Sequence, residues 1–351
     1  MLLKTFHGGG QPFAYTGGMA RSKHIAWCCG ALLAACTQKP ASNGAAPLAP
    51  PAQPTAPAAA QQRSDASCAA PLELPGARVQ IRPATGILRI GVFAGLKDAD
   101  DENVAHLRKL AAEVVKRGAD VLVADGDVGD NPDEQETLLG VLTDTGLPLL
   151  VAPGNREVRS ELDAAEAELR KKGAKVWDLS HTRVADAGDA LIVGLPGTMD
   201  RRLLHADGAC VYVQRDLDAL AAYLDRLPAK EPPAVLVMAI PPRGRDRSAL
   251  DVSEGQNVGD ARIVPLLSPR RAPFGIFGQV WESGGRAIDG GGAPLAPGRA
   301  SDQLYLNPGA ADRTPWPVGD GTRVAGQAAL LTIQGRRGTA EIVRLPGAEK
   351  T

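Results

Sequence analysis

The residues of this chain that could do chemistry fall in five short segments: Gly91-Val-Phe-Ala-Gly-Leu-Lys97, Gly126-Asp-Val-Gly-Asp130, Gly154-Asn-Arg-Glu157, Val237-Met-Ala-Ile-Pro-Pro242 and Gly278-Gln-Val-Trp281. Asp127 and Asn155 offer oxygen donors to a hard cation, whereas Lys97 and Arg156 offer fixed positive charge. A carboxylate and an amide do not make a tight zinc site, which takes three or four N, S or O ligands. Lys97 and Arg156 together could hold an anion, arginine by its bidentate fork and lysine as a point charge. The competing reading fills the same place with an ion pair, either Asp127–Arg156 or Asp130–Lys97.

In order and spacing these segments resemble the DxH, GDxxD, GNH(D/E), strand-plus-His and GHxH motifs of the calcineurin-like metallophosphoesterases. In that family strand ends deliver ligands to two divalent metals, which generate hydroxide and clamp the phosphate oxygens. The resemblance runs from about Ile87 to Leu345 and includes the tail Leu304-Tyr-Leu-Asn-Pro-Gly309 followed by Ala328-Ala-Leu-Leu-Thr-Ile333. Taken position by position, the first Asp is Gly95 and the first His is Lys97. Arg156 stands where the family has the leaving-group His, Ala239 at the strand-end His, and Gln279 and Trp281 at the last two His ligands. Only Asp127 and Asn155 are kept, as vestigial ligand positions. The resemblance implies an α/β fold of two packed β-sheets flanked by helices, an αββα sandwich. With most ligands gone it also implies no catalytic residue and no cofactor. The alternative is a residual phosphoesterase with one divalent metal on Asp127, Asn155 and one of Asp98, Asp100 or Asp130.

Other polar clusters read as ordinary. Asp98, Asp100, Asp101 and Glu102 could coordinate Mg or Ca through oxygen, but they precede a helix beginning near Asn103, where acidic side chains favour the N-terminus. His181 and His205 fall outside the motifs and read as surface or loop residues. Serine-hydrolase, P-loop, dinucleotide and CxxC signatures are lacking.

The elements that must position the motifs alternate. Apolar runs at 88–94, 121–124 and 148–152 read as strands. Helical spacing follows at 103–117 (Val104, Leu107, Leu110, Ala111, Val114, Val115), 134–144 and 159–172. Further strands are expected at 191–195, 234–239, 274–277, 303–306 and 328–333, with 243–260 a polar loop over the motif face.

Upstream, Arg21 and Lys23 precede the apolar run 25–35 and Leu33-Ala-Ala-Cys36. This order matches a secretory signal ending in a bacterial lipobox, so Cys36 is the expected lipidated residue. Thr37 in the next position favours the outer membrane. Residues 1–35 are thus an upstream extension plus signal peptide, 36–75 an Ala/Pro-rich tether unable to bury enough apolar surface to order, and 76–351 the metallophosphoesterase-like domain. Cys68 and Cys210 could pair in an oxidising envelope. With 39 Lys+Arg against 40 Asp+Glu and 4% aromatics, nothing points to nucleic acid. The expected partners are the membrane, through the anchor, and an envelope protein or an anionic small molecule. A purely structural envelope lipoprotein is the remaining alternative.

Overall fold

In a computed structural model, residues 67–345 are described. Cys36, the expected signal peptide and most of the expected tether lie outside them.

Two large mixed sheets carry the described chain. The strands are β1 (Arg78–Gln80), β2 (Leu88–Phe93), β3 (Val121–Asp125), β4 (Leu149–Ala152), β5 (Val176–Asp178), β6 (Val184–Asp186), β7 (Leu191–Gly194), β8 (Ala234–Met238), β9 (Phe274–Phe277), β10 (Arg286–Ile288), β11 (Leu304–Asn307), β12 (Gln327–Gln334) and β13 (Arg337–Arg344). The helices are α1 (Asp101–Lys116), α2 (Pro132–Thr143), α3 (Arg159–Lys171) and α4 (Gln214–Arg226). One sheet runs β13-β12-β2-β3-β4-β5 and the other β1-β6-β7-β8-β9-β11-β10.

Strand alternation explains the layering. On β2 and β3, Ile90, Val92, Val121 and Val123 enter the layer between the sheets, where they meet Ile192, Val235, Val237, Phe274 and Ile276. Phe93, Leu122 and Ala124 on the opposite faces pack under Leu107, Leu110, Leu138 and Leu162 of the first three helices. Both faces are covered, which is why these parallel strands read as unbroken apolar runs. On the far side, Leu217, Leu220 and Leu224 of α4 cover Leu191, Leu236 and Phe277. Helix α4 and strands β1, β5, β6, β10 and β13 lie outside the elements expected from sequence.

Local chemistry sets the element ends. The Asp100 side chain accepts from the N–H groups of Glu102 and Asn103, so α1 begins two residues before Asn103 with Asp101 and Glu102 in its first turn. Asn131 caps α2 ahead of Pro132. Gly91 lets α1 close onto β2, since a Cβ there would lie 2.4 Å from Val114 Cγ1. The 243–260 segment is not all loop: Val252–Ser253 and Gln256–Asn257 pair antiparallel within it.

Glu166 on α3 is a buried carboxyl with a measurable consequence. It is 1% exposed, and burial, aided by Asp178, pushes its carboxyl up to about 8, while Arg170, half exposed, offsets only part of this. The folded state therefore holds a proton there that the unfolded chain releases near 4.5. Stability from this group is present at low pH and is lost as pH rises from about 4.5 to about 8. Urea denaturation of Glu166→Gln should show a flatter pH profile than the wild type across that window. Parallel profiles would mean that Glu166 is ionised throughout.

Candidate functional site

The motif positions Gly95, Lys97, Asp127, Asn155, Arg156, Ala239, Gln279 and Trp281 all lie just beyond the C-terminal ends of parallel strands β2, β3, β4, β8 and β9, the edge where open α/β sheets place their sites. Backbone hydrogen bonds lace them together: Gly95 N–H to Gly126 O (3.1 Å), Lys97 N–H to Asp127 O (3.0 Å), Gly126 N–H to Ala152 O (2.9 Å) and Gln279 N–H to Ala239 O (3.0 Å). Buried Glu157 ties two turns further, accepting from Val128 N–H (2.6 Å) and Gly154 N–H (2.7 Å). Burial, then the nearby Asp127 charge, push its carboxyl up to about 7 against those donors. Asp125, wholly buried beneath them, is raised well above the carboxylate range by burial, opposed by the Gly278 N–H. Gly278 is required there, because a Cβ would lie 2.5 Å from Asp125 O and 2.6 Å from Ala94 Cβ.

At the centre, Lys97 and Asp127 both adopt left-handed backbone (φ 65° and 55°), a conformation that costs a non-glycine residue of order 1 kcal/mol or more. Their side chains meet: Lys97 Nζ lies 3.3 Å from Asp127 Oδ2, with side-chain exposures of only 10% and 8%. The same ammonium sits 3.3 Å from the centroid of the Trp281 ring and 5.5 Å from that of Trp316. Burial lowers the Lys97 pKa, and Asp127 partly restores it. The two indoles pack with centroids 4.6 Å apart, and Trp316 Nε1 donates to Asp312 Oδ1 at 2.7 Å. Trp281 Nε1 lies against Gly95, where a Cβ would stand 3.2 Å away. The replacements thus form a packed set in which Trp281 covers the position of the family's first Asp with its edge and meets the ammonium of Lys97 with its face.

Arg156 does not join this centre. Its Nε lies 3.1 Å from Asp130 Oδ1. The ion pairs expected from sequence, Asp127–Arg156 and Asp130–Lys97, are corrected to Lys97–Asp127 and Arg156–Asp130. The adjacency of β2 and β3 places the Lys97 turn directly on the Asp127 turn. Both cations carry carboxylate partners, and neither lines the neighbouring cavity.

That cavity, about 480 Å³, opens beside Asp127 and Asn155 and is walled by Trp281, Trp316, Met199, Leu203, Ile240 and Gln279. His205 lines it as well, from the exposed loop position expected of it: its backbone N–H donates to Asn155 O, which draws the 200–205 turn over the strand ends. The Asn155 amide is engaged in the same turn, Nδ2 donating to Leu203 O at 2.6 Å. Ser253 and Val258 of the 243–260 segment complete the rim. Neither Trp316 nor His205 lies in a motif, and no spacing in the sequence marks them. A second cavity, about 520 Å³, over Arg286, Ala287 and Ile342 contains no motif position.

The residues present do not fit a dinuclear centre. A lysine ammonium and an indole stand among the strand ends, Asp127 is paired with that ammonium, and Asn155 adds a single amide oxygen, its Nδ2 being held by Leu203 O. Asp100 caps α1, and Asp130 holds Arg156. Elsewhere, Asp163, Asp178 and His181 bring ligand-capable atoms within 4.8 Å of one another beyond β5. His181, expected to stand alone, in fact lies 2.9 Å from Asp163 Oδ1, with Arg159 Nη2 2.9 Å from its Nδ1. None of the three is a motif position. Cys68 and Cys210 are joined by a disulfide.

No family model and no curated protein sequence matches the chain. Solved structures do match. One is 15% identical, covering 74% of this chain and 100% of the other, at a TM-score of 0.55. A dimetal phosphatase from Danio rerio is 14% identical over 73% and 98% of the two chains, at a TM-score of 0.46. A purple acid phosphatase from yellow lupin seeds is 11% identical over 77% and 54%, also at 0.46. At such identities the likeness is one of fold. The described chain shares with the first of these a fold of two large mixed sheets flanked by helices, the architecture expected from the resemblance to calcineurin-like metallophosphoesterases.

Proposed function

We propose that this chain is a non-hydrolytic metallophosphoesterase-fold protein of the bacterial envelope, held to the membrane through a lipid on Cys36 and working by binding. The observation that carries the non-hydrolytic half is the position of Lys97, whose ammonium is shared between Asp127 (3.3 Å) and the Trp281 ring (3.3 Å). A cation fixed on the one surviving carboxylate ligand opposes a divalent metal there by charge as well as by space. With no metal to supply hydroxide, hydrolysis by the family route has no nucleophile.

Bis(p-nitrophenyl) phosphate and p-nitrophenyl phosphate, offered to the purified full chain with Mn²⁺, should turn over no faster than with Asp127→Ala. Metal-dependent turnover lost in that variant would overturn the reading. The anchor rests on the order of basic, apolar and Leu-Ala-Ala-Cys segments. Among the described residues no helix is long and apolar enough to cross a membrane. Fatty-acid labelling that persists in Cys36→Ser would retire it.

A further inference from the structure

The cavity beside Asp127 lies within the size range of small-molecule sites, roughly 300–1,000 Å³. Its walls offer flat and flexible apolar surface, from Trp281, Trp316 and Met199, suited to a planar ring. Its charged lining is acidic, Asp127 and Glu282, and among the described residues no Lys or Arg faces it. On the same wall the buried Oε1 of Gln279 has no hydrogen-bond partner among the described residues. An unpaired buried acceptor costs about 1–3 kcal/mol, which a ligand N–H would recover.

Resting on the non-hydrolytic reading, we propose that this pocket binds a planar aromatic ligand that bears N–H donors and no negative charge, its ring against Trp281 and Trp316 and an N–H on Gln279 Oε1. This reverses the charge preference of a phosphate site. Asp127 already has its counter-charge in Lys97, so Glu282 is the lining carboxylate without a cationic partner among the described residues that an anionic ligand would meet, whereas an amidinium or amide meets that carboxylate, the Gln279 acceptor and the Trp316 indole.

Benzamidine, benzamide and benzoate share one shape and differ in charge and donors. Titrated against the full chain by saturation-transfer NMR, benzamidine and benzamide should bind, with benzoate weaker by at least about tenfold. Gln279→Leu should weaken benzamide by about tenfold, the value of one hydrogen bond near 1.4 kcal/mol. Trp316→Leu, which leaves Gln279 in place, should weaken all three ligands. Equal binding of benzoate, unchanged affinity in Gln279→Leu, or no binding of any of the three at millimolar concentration would overturn the proposal. Phenyl phosphate with and without Mn²⁺ separates the ligand class from the non-hydrolytic reading beneath it. Manganese-dependent binding of phenyl phosphate would overturn the non-hydrolytic reading itself, whereas failure of benzamidine without any manganese effect overturns only the ligand class.

Discussion

Replacing Lys97 by alanine is expected to destabilise the protein by about 3 kcal/mol, the lower end of the range for removing one partner of a buried ion pair. The cost comes from Asp127, which keeps its left-handed backbone and its buried position but loses its counter-charge. Asp125 and Glu157, both pushed by burial toward their neutral forms, supply no counter-charge in its place. Lost contact between the ammonium and Trp281 contributes about 1–2 kcal/mol within the same total. The double variant Lys97→Met with Asp127→Asn removes both charges and should recover most of the loss, because replacing a buried pair by neutral groups is often close to neutral. Urea denaturation of the two single variants and the double variant gives the coupling directly. If Lys97→Ala were within a few tenths of a kcal/mol of wild type, the Lys97–Asp127 pair would not be what holds these turns together.

Reducing the Cys68–Cys210 bond should produce an effect of comparable size by a different route. The bond closes a segment 142 residues long. In the chain-entropy account, releasing a loop of that length frees the unfolded state by up to about 5 kcal/mol. In the folded state it secures a strap in which Cys68 O accepts from Arg159 Nη1 (2.9 Å), Ala70 N–H donates to Ser180 O (2.8 Å), and Leu72 is buried against Leu191 and Leu217. At its other end, Cys210 O accepts from Thr198 N–H at 2.9 Å, in the segment that leads into the 200–205 turn beside the cavity. The urea midpoint of Cys68→Ala should fall well below that of the oxidised wild type and match that of the reduced wild type. Coincident midpoints for the oxidised and reduced chains would show that the strap contributes nothing to global stability.

Much of the scaffold was legible in the sequence because its strands are covered on both faces. Runs such as Val121–Ala124 and Leu149–Ala152 had to be apolar throughout, and the motif segments directly follow them. Helix α1 was legible through Leu107, Leu110 and Val114 at helical spacing and through its Asp100 cap. Helix α4 is not legible although Leu217, Leu220 and Leu224 repeat the same spacing, because Val213 at its N-cap is not a capping residue type and gives the start no sequence mark. The site was legible as a set of replacements but not as an arrangement. Which acid meets Lys97 depends on the β2–β3 register and on two left-handed turns that point the side chains at each other. The cavity walls, Trp316, His205 and Met199, come from loops whose positions depend on backbone ties such as His205 N–H to Asn155 O, and nothing in the local sequence encodes those ties.

The central claim is that a packed Lys97–Asp127–Trp281 cluster stands where a metal centre would be, and the most direct measurement is calorimetric titration of the metal-stripped full chain with Mn²⁺ and Zn²⁺. No saturable binding that depends on Asp127 is expected, so that wild type and Asp127→Asn give superimposable traces. Binding of one or two ions per chain that disappears in Asp127→Asn would contradict it.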